Sequence, residues 1–361
     1  MNKEKEMTAF ISSVGADERQ PLNVSNNSIS EKTGKINNLE TISMTELYDT
    51  VYPSKPPLID GLLYTGTYLF VGAPKLGKSF LMAQLAYHIS TGIPLWHYTV
   101  RKGTVLYLAL EDDYRRLQER LYRMFGTDST DNLFFAVSAD SLGNGLDAQL
   151  QRFMQEHADT SLIIIDMLQK VREVGGDNYS YANDYEIITR LKQFADRYGI
   201  CILLVHHTRK QTADDKFDMI SGTTGLLGAA DGAFLLQKEK RTSNAATLEV
   251  SGRDQQDQKL YLKRNTETLL WELERTETEL WKESPDPLLE KIAYLFSSGS
   301  NEWAGTPTEL CSILQLDIQP NSLTRKLNIN AGRLLNEYNI FYKNSRNRSE
   351  RKVKLSRLEQ A

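Results

Sequence analysis

Cysteine is almost missing from this chain: there are two in 361 residues, Cys201 and Cys311, far apart and without a CxxC or Cys/His spacing. That excludes a disulfide framework, indicates no zinc site, and predicts a reducing, cytoplasmic setting. Long apolar runs are missing too. No stretch approaches the roughly 20 residues that cross a bilayer, and Met1-Asn2-Lys3-Glu4-Lys5-Glu6 has no apolar run behind it, so neither a membrane span nor an ordinary signal peptide is expected. Nor is there an excess of either charge: 43 Lys and Arg against 47 Asp and Glu leave a formal net charge of -4. Any nucleic-acid surface must therefore be local. Core-forming residues are present in ordinary amount, with 40% hydrophobic and 25% charged residues, which argues against disorder over most of the length. The length suits one large domain with a small appendage.

Residues 1–42 are rich in Asn, Ser, Glu and Lys, include the wholly polar Ser25-Asn26-Asn27-Ser28, and are expected to form a disordered tail. The folded core is expected from 43 to 284, entered through Ile59-Asp60-Gly61-Leu62-Leu63. From there, β-prone segments alternate with helix-length amphipathic ones, the pattern of a mostly parallel sheet flanked by helices in an α/β fold. Strands are expected at 67–71, 104–110, 133–137, 162–165 and 200–206, with a more antiparallel-looking set at 232–236, 247–251, 259–263 and 269–273. Helices are expected between them at 78–90, 114–125, 147–157 and 184–198.

Three motifs carry chemistry. Gly72-Ala73-Pro74-Lys75-Leu76-Gly77-Lys78-Ser79 has the Walker A spacing between an apolar strand and an amphipathic helix, with Phe80 next in line. The two glycines let successive N–H groups turn inward around the phosphates of ATP, and the helix N-terminus adds partial positive charge. Lys78 would reach the β- and γ-phosphates and the Ser79 hydroxyl would ligate Mg²⁺. Leu162-Ile163-Ile164-Ile165-Asp166 is an apolar strand ending in a carboxylate, the Walker B pattern, with Asp166 reaching Mg²⁺ through water. Glu111, after the apolar strand ending at Leu110, is the leading catalytic base. Asp112 is the alternative, and these acids could equally cap the helix beginning near Tyr114.

Together with Ala-Leu-Glu-Asp at 109–112 and Leu-Leu-Val-His-His-Thr-Arg-Lys at 203–210, these motifs resemble the RepA-type hexameric replicative helicases and plasmid-borne AAA ATPases of the RecA-like, DnaB-like group. The resemblance covers roughly 57–273. It implies a RecA-like P-loop NTPase core, ATP hydrolysis with Mg²⁺, and translocation on or unwinding of single-stranded DNA in plasmid or mobile-element replication. A homo-oligomeric, hexameric ring and replication-initiation proteins as partners come with it. By position His206 and His207 inherit the γ-phosphate sensor, His207 foremost. The segment 208–224, with Arg209 and Lys210, takes the place of a DNA-binding loop, and 173–183, with Tyr179 and Tyr181, is a second candidate. Arg253, in Ser251-Gly252-Arg253-Asp254, becomes the arginine finger offered to a neighbouring subunit, with Lys263 and Arg264 as competitors. An ATP-gated assembly or regulatory factor without helicase activity is the alternative function.

Ser284-Pro285-Asp286-Pro287 ends the strand pattern and marks a boundary. Residues 285–361 read as three helices, 288–296, 308–314 and 322–337, followed by a hairpin of 340–343 with 352–355. That layout suits a small winged-helix-like DNA-binding domain. The hairpin carries Arg346, Arg348, Arg351 and Lys352, the basic residues expected to meet phosphates.

Overall fold

The computed structural model describes residues 41–52, 56–172, 181–208, 217, 220, 224–238, 240, 242–253, 255–278, 286–296, 301–346 and 351–358. It divides into two compact units, one of residues 55–283 and one that joins residues 284–361 to the N-terminal segment ending at Ser54.

The larger unit is a mixed α/β domain on a nine-stranded sheet in the order β3-β2-β4-β5-β1-β6-β7-β8-β9. Six strands run parallel: β1 (Gly66–Gly72), β2 (Thr104–Ala109), β3 (Leu133–Ala136), β4 (Thr160–Asp166), β5 (Cys201–His206) and β6 (Gly232–Gln237). The last three, β7 (Ala245–Gly252), β8 (Gln258–Arg264) and β9 (Trp271–Thr278), add on antiparallel to one another. Unbroken apolar runs suit the central strands because both faces are covered. Tyr68 and Phe70 of β1 pack on one face, with α2 (Lys78–Thr91) and α3 (Tyr114–Phe125). Leu69 and Val71 pack on the other, with α4 (Leu146–Glu156), α5 (Tyr181–Tyr198) and α6 (Thr224–Ala229). The short helix α1 (Met44–Asp49) precedes them all and belongs to the second unit.

Strand order fixes the geometry of the sheet's C-terminal edge. β5 lies between β1 and β4, and β2 lies beyond β4. Residues that leave β2, β4, β5 and β1 therefore emerge in a row, in a crevice where open parallel sheets bind ligands. The expected strands and helices of this unit recur within a few residues, except that the final strand runs later than 269–273, at Trp271–Thr278. The reason is local: Leu269 takes a positive φ of 64°, and the turn it forms delays the strand.

In the second unit, α7 (Pro287–Leu295), α8 (Pro307–Ile313), α9 (Pro320–Ile329) and α10 (Ala331–Tyr338) accompany a three-stranded sheet, β10 (Glu302–Gly305), β12 (Arg351–Arg357) and β11 (Ile340–Arg346), in that order. Helix starts follow their sequence signals: Asp286 caps α7, a Thr306/Glu309 capping box opens α8, and proline stands at the first turn of α7, α8 and α9. Two expectations are corrected. The single helix at 322–337 is two helices, because Asn330 leaves helical geometry (φ -95°, ψ 12°) and its side chain donates to the Lys326 carbonyl at 2.9 Å. The hairpin has a third strand, β10, at Glu302–Gly305, where no element is expected. Residues 43–52, expected with the ATPase core, group here instead. A Ser43/Glu46 capping box forms α1, Asn328 of α9 donates to the Tyr48 carbonyl at 2.9 Å, and Asp49 pairs with Arg325 at 3.4 Å and Arg351 at 3.5 Å.

Candidate nucleotide site

The loop after β1 turns sharply. Gly77 has φ 100° and Lys75, not a glycine, has φ 65°, so the backbone between them curls as a phosphate-binding nest does. Gly77 is also crowded from behind: a Cβ there would lie 3.2 Å from the Trp271 ring and 3.3 Å from the Arg264 guanidinium. At Gly72 a Cβ would strike the Leu236 carbonyl at 2.6 Å. Gly72 is thus required by space, and Gly77 by its positive φ, with little room behind it. Gly77 caps α2 without a side-chain bond, which leaves the first-turn N–H groups of a 14-residue helix available to an anion.

Lys78 is buried. Its ammonium donates to Gly72 O at 2.8 Å and Ala73 O at 3.1 Å, and lies 3.1 Å from His207 Nδ1. Burial pulls its pKa down to about 8, against the opposing pull of Asp166 and Glu111. His207, the residue after β5, falls between the β1 loop and Asp166 as strand order requires. Burial, then the Lys78 charge, hold its pKa below the ordinary histidine value, so the ring is neutral and Nδ1 accepts from Lys78. His206 is the last residue of β5 and is buried.

Asp166 ends β4, 6% exposed. Burial raises its pKa, while hydrogen bonds from the Ser79 and Tyr107 hydroxyls and the Lys78 charge oppose the rise. Tyr107, on β2, donates to Asp166 Oδ2 at 2.8 Å. The β2–β4 register pairs Ala109 with Asp166, and Leu110 N donates to Asp166 O at 2.8 Å, so Glu111 emerges beside Asp166. Glu111 is exposed and has no hydrogen-bond or ion-pair partner among the described residues. Its two neighbours are otherwise engaged. Asp112 pairs with Arg120 at 2.7 Å and Arg116 at 3.4 Å, and Asp113 caps α3 by accepting from Arg116 N at 2.9 Å. Asp112 is therefore held in an ion pair, which leaves Glu111 as the carboxylate facing the edge.

Phe80 continues α2 under two guanidiniums, Arg264 at 4.0 Å and Arg120 at 5.0 Å from its ring centroid. Behind the loop, Trp271 donates to Gly77 O at 3.3 Å, and Gln84 holds the Trp271 backbone from both sides, accepting from its N–H at 2.8 Å and donating to its carbonyl at 2.9 Å. Sequence reading passed over Tyr107, Trp271 and Gln84. A usable signal existed for Tyr107: a hydroxyl inside the apolar run Val105-Leu106-Tyr107-Leu108-Ala109 must find a buried partner.

The candidate fingers separate. Gly252 pairs with Gly232, which pairs with Tyr68 at the start of β1. Arg253 therefore lies at the sheet edge opposite the loop, away from its own chain's site. It is exposed, and its guanidinium donates to Gly228 O at 2.9 Å. Arg264 is built against its own chain's loop instead. Arg209, Lys210 and Arg348, the side chain of Arg346, and residues 173–180 lie outside the described residues. Arg351 is paired with Asp49, and Lys352 is exposed.

The Ser79 hydroxyl and the Asp166 carboxylate, hydrogen-bonded to one another, are a hard oxygen pair suited to Mg²⁺ held largely by phosphates and water. No cluster of three His, Cys, Asp or Glu forms a ready metal cage among the described residues. No helix among them is long and apolar enough to cross a membrane.

A family model described as an AAA domain matches residues 36–213. Comparison with curated proteins finds no match. Among solved structures, an ATPase domain aligns at 15% identity over 58% of this chain and 84% of its own, with a TM-score of 0.48. A DnaB-like replicative helicase, described with its interactions with primase, aligns at 17% identity over 58% of each chain, with a TM-score of 0.46. A KaiC-like protein of Pyrococcus horikoshii OT3 aligns at 14% identity over 62% of this chain and 99% of its own, with a TM-score of 0.45.

Proposed function

We propose that this chain is a RecA-like P-loop ATPase that couples ATP hydrolysis to translocation on, or unwinding of, single-stranded DNA, in the replication of a plasmid or other mobile element. The observation that carries the ATPase reading is the row formed at one sheet edge by Glu111, Asp166, His207 and the loop holding Lys78. The AAA model match over 36–213 supports it. The DNA and mobile-element parts rest on the motif resemblance.

Lys78 donates to Gly72 O, Ala73 O and His207 Nδ1. A phosphate entering the loop competes for the same ammonium, so nucleotide binding draws Lys78 away from His207. The freed imidazole can then bond the γ-phosphate, and β5 leads from it directly into the candidate DNA loop after Thr208. Ser79 and, through water, Asp166 would hold Mg²⁺, which would supply positive charge to the phosphate oxygens. Glu111 orients and polarises the attacking water. Arg253, at the far edge, completes the site of a neighbouring copy by stabilising transition-state charge, which makes turnover depend on a head-to-tail ring. The second unit, with helices α7 to α10, a three-stranded sheet and a basic β11–β12 hairpin, reads as a winged-helix-like DNA-binding domain.

A titration of ATP turnover with single-stranded DNA tests this. Stimulation, with displacement of a forked duplex, is expected. Stimulation without displacement would make the chain an ATP-gated assembly factor, and turnover indifferent to DNA would remove DNA from the account.

A further inference from the structure

Tyr107 stands out among the buried polar groups that the mechanism above does not use. Its side chain is fully buried on β2, on the sheet face covered by α2, with its ring 5.5 Å from that of Phe135. The strand around it is otherwise aliphatic from Val105 to Ala109. Phenylalanine would fill almost the same space without a hydroxyl to satisfy. The hydroxyl has two acceptors in reach, Asp166 Oδ2 at 2.8 Å and Ser79 O at 3.4 Å. A carbonyl and a carboxylate cannot donate, so the phenol is the donor, and its one proton goes to the nearer acceptor, Asp166 Oδ2. The phenol thus reaches the two residues proposed to hold Mg²⁺, and at Ser79 it meets the carbonyl, not the hydroxyl that would face the ion.

We propose that Tyr107 is a positioning residue for the metal-side carboxylate: its hydroxyl takes one lone-pair direction of Asp166 Oδ2 and leaves the others turned toward Ser79. The Ser79 and Tyr107 hydroxyls both donate to this buried carboxylate; with the Ser79 oxygen turned to an ion, Tyr107 is the donor left to fix its plane. Without that donor it can rotate about its last torsion and point its lone pairs elsewhere. Partners that orient a metal-binding group in this way contribute roughly 10-fold or more to metal affinity. The inference rests on the nucleotide-site reading above. The experiment separates the two.

The proteins to compare are wild type, Tyr107→Phe, Asp166→Asn and the double variant. Binding of ADP in EDTA is measured by calorimetry, and binding of Mn²⁺ to the ADP complex by electron paramagnetic resonance. Tyr107→Phe is expected to bind ADP without metal as wild type does, and to bind Mn²⁺ about tenfold more weakly. In the Asp166→Asn background the same substitution should change Mn²⁺ affinity no further. Unchanged Mn²⁺ affinity in Tyr107→Phe would overturn the proposal, as would an equal loss in both backgrounds. Weaker ADP binding in EDTA would also overturn it, by showing that Tyr107 merely supports the loop. A wild-type chain that binds no ADP would instead bring down the nucleotide-site reading itself.

Discussion

Raising the pH past 8 should weaken nucleotide binding, and the size of the effect follows from Lys78. Its pKa in the free protein is about 8 because burial disfavours the charge more than Asp166 and Glu111 restore it. A phosphate group favours the charged ammonium, so the bound state keeps the proton to higher pH. Below the free pKa, Lys78 already carries its proton and affinity is flat. Above it, binding must take a proton from solvent, and affinity falls up to tenfold per pH unit. Between about pH 7 and about pH 9 the expected loss is roughly tenfold, ~1.4 kcal/mol. Calorimetric titration with ADP in two buffers of different ionisation enthalpy reads both the affinity and the proton uptake. Lys78→Arg should abolish the proton uptake, since a guanidinium stays charged throughout. Wild-type affinity that is flat to about pH 9, with no proton uptake, would refute this account of the lysine's environment.

Three further outcomes are expected. Gln84→Ala removes both side-chain bonds to the Trp271 backbone and orphans its buried N–H, so urea denaturation should show a loss of about 2–4 kcal/mol; a change below ~0.5 kcal/mol would mean the clasp adds nothing. Arg253→Ala should bind nucleotide normally but turn it over more slowly by about a thousandfold or more, and mixing it with Lys78→Ala chains should restore activity through shared sites; no recovery on mixing would contradict a finger supplied in trans. Asp49→Asn frees Arg325 and Arg351 from their pairs, so DNA affinity of the full chain should rise and its salt dependence steepen by about one to two phosphate contacts; an unchanged salt slope would remove these arginines from the DNA surface.

Periodicity and motif spacing made the sheet legible because its central strands are buried on both faces and its helices on one, so each element carries its own pattern. The loop from Gly72 to Ser79 was legible for a similar reason: its chemistry is local. What escaped was chemistry assembled across long sequence distances. Nothing around Trp271 announces that it packs behind Gly77, and nothing around Gln84 that it grips Trp271. The acidic triplet Glu111-Asp112-Asp113 was ambiguous in sequence because three carboxylates at a helix start can each be base, cap or ion-pair partner. Packing divides the roles, with Arg120 claiming Asp112 and the α3 N-terminus claiming Asp113. Likewise Arg253 and Arg264 both looked like fingers. Only strand register shows that they lie at opposite edges of the sheet. In the second unit, Asn330 interrupts what reads as one amphipathic helix, because a capping side chain costs too little periodicity to be seen.

The most direct test of the account is ATP turnover by Glu111→Gln beside a binding measurement on the same protein. The amide keeps the shape of the carboxylate but cannot polarise water. Turnover is expected to fall by a factor of about 100 or more, with Mg²⁺-ADP binding retained. Turnover equal to that of the unaltered chain would contradict the assignment of this sheet edge as the hydrolytic site.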